Sequence, residues 1–282
     1  MGFWLLQTSV GNARIKKIFD RGSGFVEICG YSVWAVALIC VGVFVAGFVD
    51  AIGGGGGIIS VPSYLLAGLP PHFALGTNKL SSCIGTLVST LRYVKHGYVN
   101  WGLGIPSVAA ALLGAHLGTR LQLMLDENYL KYMLLVALPL VAVVMLRQKK
   151  LPEEPGQISV WKQRTIVWSA SLVLGAYDGF YGPGTGTFLL LIFCGLAKLD
   201  LRTASGNVKL VNLSSNIGAV ATSFMAGKVL VPIGLIVAVF SIAGHYLGAG
   251  MTIKNGSKIV RPVIFTVLGL LAIKVLVELF TG

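Results

Sequence analysis

Two aspartates stand inside apolar sequence, each shortly before a glycine-rich segment. Asp50 precedes five consecutive glycines at 53–57, and Asp178 precedes the segment Gly182-Pro-Gly-Thr-Gly186. A carboxylate at membrane depth costs roughly 3 kcal/mol, so it is usually paired, protonated or facing water. Consecutive glycines hold a helix poorly, and unwound backbone at that depth needs a protein-lined or aqueous cavity. We therefore predict that both aspartates lie at helix breaks beside a cavity, where they would serve gating or proton coupling.

Each glycine-rich segment leads into a short apolar piece, at 57–68 and at 185–197. A helix needs about 20 residues to cross a bilayer, so these pieces are predicted to be half-helices or re-entrant segments. Their N-terminal amides and positive dipole ends would point toward the midplane and suit an anion. The residues predicted to supply this backbone site are Gly54, Gly56 and Gly57 in the first half and Gly184, Thr185 and Gly186 in the second.

A lysine with polar neighbours follows each short piece inside a longer apolar segment. Helical spacing of three or four residues places ammonium, amide, hydroxyl and, in the first half, thiol groups on one face. Such donors suit an oxyanion with several acceptor oxygens. The predicted binding side chains are Asn78, Lys79, Ser82 and Cys83 in the first half and Lys209, Asn212 and Asn216 in the second.

The charged residues also have a purely structural interpretation. Asp50–Lys79 and Asp178–Lys209 could be two buried salt bridges that tie helices together, one in each half. The same pairing would keep an anion site near neutral while it is empty, and an arriving anion would compete with the carboxylates. Both interpretations remain open from the sequence.

The histidines and cysteines fit packing better than chemistry. His116 and His245 lie in glycine-rich helices whose Gly-x-x-x-Gly patterns predict close packing, and a satisfied histidine is favoured over a proton relay. The four cysteines lack metal-ligand or disulfide spacing, so free thiols are predicted. Cys83 is favoured as a packing thiol over a soft contact to a sulfur-containing substrate. No metal or cofactor is predicted.

The composition places the chain in a membrane. Of its 282 residues, 55% are hydrophobic and 11% charged, against about 25% charged in soluble domains, and the mean hydropathy is +0.82. The net charge of +12 is scattered over connections and helix ends, which favours a positive-inside bias over nucleic-acid binding. No stretch remains for a separate catalytic domain. We expect a multi-pass protein of the cell membrane, not an enzyme, with its oligomeric state open.

Eight apolar runs are long enough to be candidate spans. They lie at 31–52, 73–96, 101–124, 129–147, 161–181, 203–226, 230–251 and 260–280. A polar segment with several basic residues, two glutamates and two prolines divides them. We predict a cytoplasmic or interfacial extension at 1–30, a first transmembrane repeat at 31–147, a cytoplasmic linker at 148–160 and a second transmembrane repeat at 161–282.

The two halves show the same order of features: span, aspartate, glycine break, short helix, intramembrane lysine and small-residue helix. A shift of 128 residues superimposes Asp50 on Asp178, and a shift of 130 superimposes Lys79 on Lys209. Duplication is common in secondary transporters, whose substrate sites lie between the repeats. We predict an all-α polytopic membrane protein of two homologous repeats, each with about four transmembrane helices plus a short broken or re-entrant helix.

These ordered motifs resemble the sulfite exporter TauE/SafE family over about residues 33–280. The resemblance rests on Asp50-Ala-Ile-Gly-Gly-Gly-Gly-Gly-Ile-Ile-Ser-Val-Pro62, Gly76-Thr-Asn-Lys79 and Gly97-Tyr-Val-Asn-Trp101, echoed by Gly182-Pro-Gly-Thr-Gly186, Lys209-Leu-Val-Asn-Leu-Ser-Ser-Asn-Ile-Gly218 and Gly227-Lys-Val. It implies a two-repeat transporter that moves small sulfur-containing anions such as sulfite, thiosulfate, sulfoacetate or related sulfonates out of or into the cell.

We accordingly predict a secondary carrier of sulfite or a related inorganic or organic sulfur anion, bound between the repeats. Transport becomes proton-linked if either aspartate takes up a proton with the anion. An anion channel lined by the same donors is the alternative. An intramembrane enzyme is disfavoured because no HExxH or paired-aspartate protease pattern appears, and because Cys83 has no obvious histidine partner.

Overall fold

The structure is a computed structural model, and it describes residues 27–28, 30–126, 154–256, 258–260, 262–263 and 266. Its first elements are two short antiparallel strands, β1 (Glu27–Ile28) and β2 (Tyr31–Ser32). The helices that follow are α1 (Val33–Gly53), α2 (Gly57–Leu66), α3 (Pro71–Lys95), α4 (Trp101–Met124), α5 (Val160–Phe180), α6 (Thr185–Gly195), α7 (Leu201–Met225) and α8 (Val231–Asn255). Helices dominate the described residues, as predicted. The all-α prediction did not include the strand pair.

The long helices match the apolar runs of the sequence. The runs predicted at 31–52, 73–96, 101–124, 161–181, 203–226 and 230–251 correspond to α1, α3, α4, α5, α7 and α8. The run at 129–147 and most of that at 260–280 lie outside the described residues. Among the described helices, α1, α4 and α8 are long and apolar enough to cross a membrane. Helices α3, α5 and α7 have 25, 21 and 25 residues but carry more polar side chains, many of them buried.

The two short apolar pieces form α2 and α6, which begin at Gly57 and Thr185 as predicted. Helices of 10 and 11 residues are about 15 Å long, half the thickness of a bilayer core of about 30 Å. Gly54, Gly182 and Gly184 in the segments before them have positive φ angles, which glycine adopts without steric cost. The chain is therefore broken between α1 and α2, and again between α5 and α6.

Helices α4 and α8 pack in a crossed manner. Helix α4 packs along α5 and α7, whereas α8 packs along α1 and α3. Gly114 and Gly118 on α4 lie against the backbone of α5, and Gly244 and Gly248 on α8 lie against the backbone of α1. Small residues allow this close approach, so the packing role predicted for the Gly-x-x-x-Gly patterns is confirmed. Each half thus contributes a helix that packs on the other half.

The two glycine-rich breaks meet inside the molecule. The Thr187 hydroxyl donates a 2.8 Å hydrogen bond to the carbonyl of Gly53. The Cα of Gly54 lies so close to the backbone of Gly186 and Thr187 that a side chain at Gly54 would collide with it. This crossing places the starts of α2 and α6 side by side. Asp50 and Asp178, in the last turns of α1 and α5, therefore lie next to the crossing.

The crossing predicts a large difference between two glycines of nearly equal φ. Gly54 has φ +77° and no space for a Cβ, whereas Gly97 has φ +74° and nothing within 4 Å of a built Cβ. The positive φ strains alanine by about 1–2 kcal/mol at either position. At Gly54, overpacking should lower the free energy of unfolding by a further 1–3 kcal/mol, roughly. Thermal unfolding in detergent should show a clearly larger loss of Tm for Gly54→Ala than for Gly97→Ala. Equal losses would contradict the crossing.

Candidate functional site

A polar cavity lies beside the crossing of the two breaks. Residues of α1, α2, α3, α6, α7 and α8 line it, together with the end of α5 and the turn after it. It contains about 520 Å³ of space free of protein atoms, part of which opens to solvent. The polar side chains in its lining are Asp50, Ser60, Asn78, Lys79, Ser82, Thr86, Asp178, Tyr181, Thr185, Asn216, Ser241 and His245. A concave site with converging polar groups from both halves is a strong candidate for ligand binding.

The structure divides the predicted site residues into two sets. Those that line the cavity are Asp50, Gly56, Gly57, Asn78, Lys79, Ser82, Asp178, Thr185, Gly186 and Asn216. Those outside the lining are Gly54, Cys83, Gly184, Lys209 and Asn212. Members of the second set support the first: the backbone of Gly54 packs on the opposite break, and the Lys209 ammonium holds the Asp50 carboxylate.

Lys79 forms a buried ion pair with Asp178. The Lys79 Nζ lies 2.8 Å from the Asp178 Oδ2, and both side chains are less than a tenth exposed. The same carboxylate oxygen accepts a 2.7 Å hydrogen bond from the Ser215 hydroxyl. A side chain on Gly182 would press against both charged groups, so this glycine lets the turn after α5 pass close to the pair.

Lys209 forms the second buried ion pair, with Asp50. The Lys209 Nζ lies 3.0 Å from the Asp50 Oδ2 and also donates to the Asp50 carbonyl. The Asp50 Oδ1 accepts a 3.3 Å hydrogen bond from the backbone N–H of Gly56, and the His245 Nε2 lies 3.4 Å from Oδ2. The Lys209 side chain is 2% exposed and that of Asp50 is 20% exposed. Lys209 is therefore enclosed, while Asp50 faces the cavity.

Both ion pairs cross between the halves, so the within-half pairs Asp50–Lys79 and Asp178–Lys209 considered from the sequence are wrong. Lys79 precedes the predicted linker at 148–160 and its partner Asp178 follows it, and Lys209 and Asp50 have the reverse order. The physical reason is the crossing of the breaks together with the direct packing of α3 on α7. In this arrangement each aspartate lies next to the lysine of the other half and not next to the lysine of its own half.

The start of α2 already has an anionic partner within the protein. The Gly56 amide, which was predicted to bind an external anion, donates to the Asp50 carboxylate. Anionic groups at a helix N-terminus are stabilised by its unpaired amides and dipole. An external anion at this position must therefore compete with Asp50 or displace it.

Two predicted asparagines have side-chain oxygens that lack partners among the described residues. Asn78 is 5% exposed and lines the cavity, and its Oδ1 accepts no hydrogen bond. The Oδ1 of Asn212 is likewise buried without a partner. A buried unsatisfied polar atom costs about 1–3 kcal/mol. The Asn78 Oδ1 is an acceptor, so a ligand in the cavity that donates a hydrogen bond, such as a protonated anion, would satisfy it.

His245, interpreted from the sequence as a satisfied packing histidine, is buried and hydrogen-bonded, and it also lines the cavity beside Asp50. Its Nε2 is also 3.3 Å from the Thr86 hydroxyl, and its Nδ1 is 2.9 Å from the carbonyl of Ser241. The signal that could have identified it is an asymmetry: a shift of 130 aligns His245 with Ala115.

The other packing predictions agree with the structure. His116 lies outside the cavity lining, and its Nδ1 is 2.9 Å from the Thr222 hydroxyl. Cys40, Cys83 and Cys194 are free thiols as predicted, and Cys29 lies outside the described residues. Cys83 does not line the cavity, which agrees with its packing interpretation.

Comparison with known proteins gives consistent matches over most of the chain. The family described as sulfite exporter TauE/SafE matches residues 38–275. A probable membrane transporter protein of Haemophilus influenzae is 37% identical over 235 residues, covering 80% of this chain and 88% of the relative. The probable membrane transporter protein ORF9 of a Sinorhizobium species is 35% identical over 246 residues, 86% of this chain and 93% of the relative.

A third relative, the probable membrane transporter protein YfcA of Escherichia coli K12, is 31% identical over 233 residues, 83% of this chain and 86% of the relative. No solved structure matches the chain.

The crossed pairing predicts which charged residues depend on each other. Removing one partner of a buried pair costs about 3–5 kcal/mol. Lys79→Met and Asp178→Asn should therefore each destabilise the protein, and the double variant should be more stable than their sum implies by about 1–3 kcal/mol. Unfolding measurements in detergent on the four proteins give this coupling energy. The control cycle, Lys79→Met with Asp50→Asn, should show weaker coupling, and stronger coupling there would contradict the crossed pairs.

Proposed function

This chain belongs to the sulfite exporter TauE/SafE family, and we propose that it is a secondary carrier of a small sulfur-containing anion such as sulfite, thiosulfate or an organosulfonate. The family and the relatives indicate a membrane transporter rather than an enzyme, and a bacterial-type protein of the cell membrane. The observation that carries the finer proposal is the cavity at the crossing of two broken helices, with a buried lysine–aspartate pair at each side.

The substrate class is inferred from the donors that face the cavity. Lys79 supplies an ammonium group, Asn78 and Asn216 supply amides, and Ser82 supplies a hydroxyl, whereas the Thr185 hydroxyl already donates to the Gly182 carbonyl. An oxyanion presents several acceptor oxygens that such donors satisfy together. The hydrogen-bonding capacity of Asn78 that is unused among the described residues supports a polar ligand rather than an apolar one.

The charges around the cavity support a carrier in which a lysine exchanges its carboxylate partner for the bound anion, rather than a site that holds an anion permanently. Lys79 and Lys209 are matched by Asp178 and Asp50, so the four groups sum to zero. An anion that binds Lys79 must weaken its pair with Asp178 or bring a proton with it. Binding therefore changes the contacts between the halves, which is what a transport cycle requires.

We also propose that residues 31–147 and 161–282 are two homologous repeats joined by the linker at 148–160. Equivalent positions make equivalent contacts: Gly114 lies against Leu172 and Ala176, and Gly244 lies against Phe44 and Phe48. The two ion pairs are related by the same shifts of 128 and 130 residues. This correspondence supports a pseudo-twofold relation between the halves, and the site would lie close to its axis.

A transport assay tests the carrier. Purified protein in proteoliposomes should catalyse saturable counterflow of radiolabelled sulfite or thiosulfate. Lys79→Met removes a charge-assisted hydrogen bond of about 1.5–3 kcal/mol and should raise the KM by roughly 10–100-fold. Lys162→Met is the matched control, because Lys162 is exposed at the start of α5, and it should transport like the unmodified protein. Large single-channel currents without counterflow would instead support an anion channel.

Anion binding should also be measurable without transport. Sulfite, thiosulfate or sulfoacetate should raise the Tm of the detergent-solubilised protein in proportion to the logarithm of concentration above Kd, as ligands of the folded state do. Acetate at equal ionic strength is the control and should leave the Tm nearly unchanged. No stabilisation by any of the three sulfur anions would contradict the proposed substrate class.

A further inference from the structure

The two ion pairs occupy matched positions, but their surroundings differ in one respect. The Asp178 carboxylate receives the Lys79 ammonium and the Ser215 hydroxyl. The Asp50 carboxylate receives the Lys209 ammonium and faces the His245 imidazole. A hydroxyl stays neutral across the physiological pH range, whereas an imidazole can take up a proton and become positive within that range. The chemistry that can take up a proton is therefore concentrated on one side of the cavity.

Two glycines create the space that His245 occupies. Gly85 stands where a shift of 130 places Ser215, and a side chain on Gly85 would collide with Ser241 and His245. A Cβ on Gly47 would lie 2.7 Å from the His245 Nδ1. On the other side, the position that matches His245 is Ala115. The Asp178 side of the cavity thus combines Ser215 with Ala115, and the Asp50 side combines Gly85 with His245.

Hydrogen bonding fixes the orientation of the imidazole. A carbonyl oxygen only accepts hydrogen bonds, so we assign a proton to the His245 Nδ1, which lies 2.9 Å from the Ser241 carbonyl and 3.3 Å from the Ser241 hydroxyl. In the neutral ring Nε2 then has a lone pair, and this atom is the one that faces the Asp50 Oδ2 at 3.4 Å. A second proton on the ring converts this contact into a charge-assisted hydrogen bond.

The other groups around His245 set the charge balance. Helix α1 contributes Asp50, and α3 contributes the Thr86 hydroxyl and, further along the cavity wall, Lys79. The half-buried Cys83 on α3 lies outside the cavity lining. Helix α7 contributes Lys209, bound to the same carboxylate as His245, and the opposite wall carries Asp178 and Tyr181. With neutral His245 the charged groups among these sum to zero, so one added proton leaves a single positive charge.

On the basis of the carrier function above, we propose that His245 is the proton-coupling residue of this protein. Protonation of the His245 Nε2 gives Asp50 a second cationic partner beside Lys209, and it adds one positive charge to the wall of the cavity. One unit of negative charge on the bound anion is neutralised by that proton. When the anion leaves, the proton leaves the imidazole, and Asp50 returns to Lys209 alone. Asp178 is bound by Lys79 and Ser215, with no imidazole beside it among the described residues, and remains an ion-pair residue.

The test compares driven accumulation with exchange in proteoliposomes, using radiolabelled thiosulfate and sulfoacetate at clamped zero membrane potential. If one proton moves with each anion, a gradient of one pH unit supports about tenfold accumulation of the anion, because the free energy of one proton crossing that gradient balances a tenfold concentration ratio. In vesicles whose interior is one pH unit more alkaline than the outside, the unmodified protein should therefore accumulate the anion about tenfold. His245→Gln should exchange anion but bring the accumulation ratio close to unity.

A triple variant guards against a folding defect. His245→Ala and Ser241→Ala make room for Gly85→Ser and rebuild around Asp50 the residue combination found around Asp178, where Ala115, Ala111 and Ser215 stand at the matching positions. It should exchange anion without accumulating it. His116→Gln is the matched control for removing a histidine outside the cavity, and it should accumulate like the unmodified protein.

The outcomes separate the two proposals. Gradient-driven accumulation by the His245 variants at the level of the unmodified protein would overturn the role of His245 while leaving the carrier intact. Absence of exchange of either anion in the unmodified protein would overturn the carrier function, and the coupling role with it. Loss of accumulation with retained exchange in the variants supports the proposed role.

Discussion

The crossed pair of lysine–aspartate contacts is the interaction on which the rest of this structure depends. Lys79 and Lys209 lie almost fully inside the protein, and an uncompensated ammonium group there would cost several kcal/mol. Each is compensated by an aspartate from the other half, its one carboxylate partner within the described part of the chain. Both pairs join the two halves, so the observed packing register keeps these buried charges paired across the contact. The crossing of the glycine-rich breaks provides the close approach that this register needs.

The same constraint explains the placement of glycine. At Gly54 the opposite break leaves no space for a side chain, and at Gly182 the charged groups of Lys79 and Asp178 lie close to the Cα. At Gly114 and Gly244 a neighbouring helix backbone fills the space. Backbone contacts of this kind bring the ends of α1 and α5 to the lysines of the opposite half. The main role of these glycines is therefore to allow the close packing that positions the four charged residues, rather than to make the chain flexible.

A cavity with balanced charges responds to small changes in partner. The carboxylates of Asp50 and Asp178 are the resident anions of the site, and one of them already occupies the amide of Gly56. In the proposed carrier, a mobile anion that enters competes with carboxylates that belong to opposite halves. Ligand binding and the contact between the halves would then be linked through the same few atoms. The proposed role of His245, which has Ala115 as its counterpart, would add a proton to that linkage on one side of the cavity.

Much of this organisation can be predicted from the sequence. Apolar length gave the long helices, since only residues of that type and number can span lipid, and glycine runs gave the breaks before Gly57 and Thr185. The repeated spacing of aspartate and lysine identified the charged residues of the site, because intramembrane charge is rare and costly. Local composition and periodicity carry this information, so no knowledge of distant contacts is needed for it.

Tertiary structure alone decided which charge meets which, and which predicted donors face the cavity. The sequence placed Asp50 nearest along the chain to Lys79, but the crossing of the breaks delivers it to Lys209. It also could not show that the Gly56 amide is already bound to Asp50, or that Gly85 and Gly47 leave room for His245 beside that carboxylate. These contacts join residues far apart in sequence. They are fixed by how two halves pack, and a linear pattern records the residues of each half but not the geometry between them.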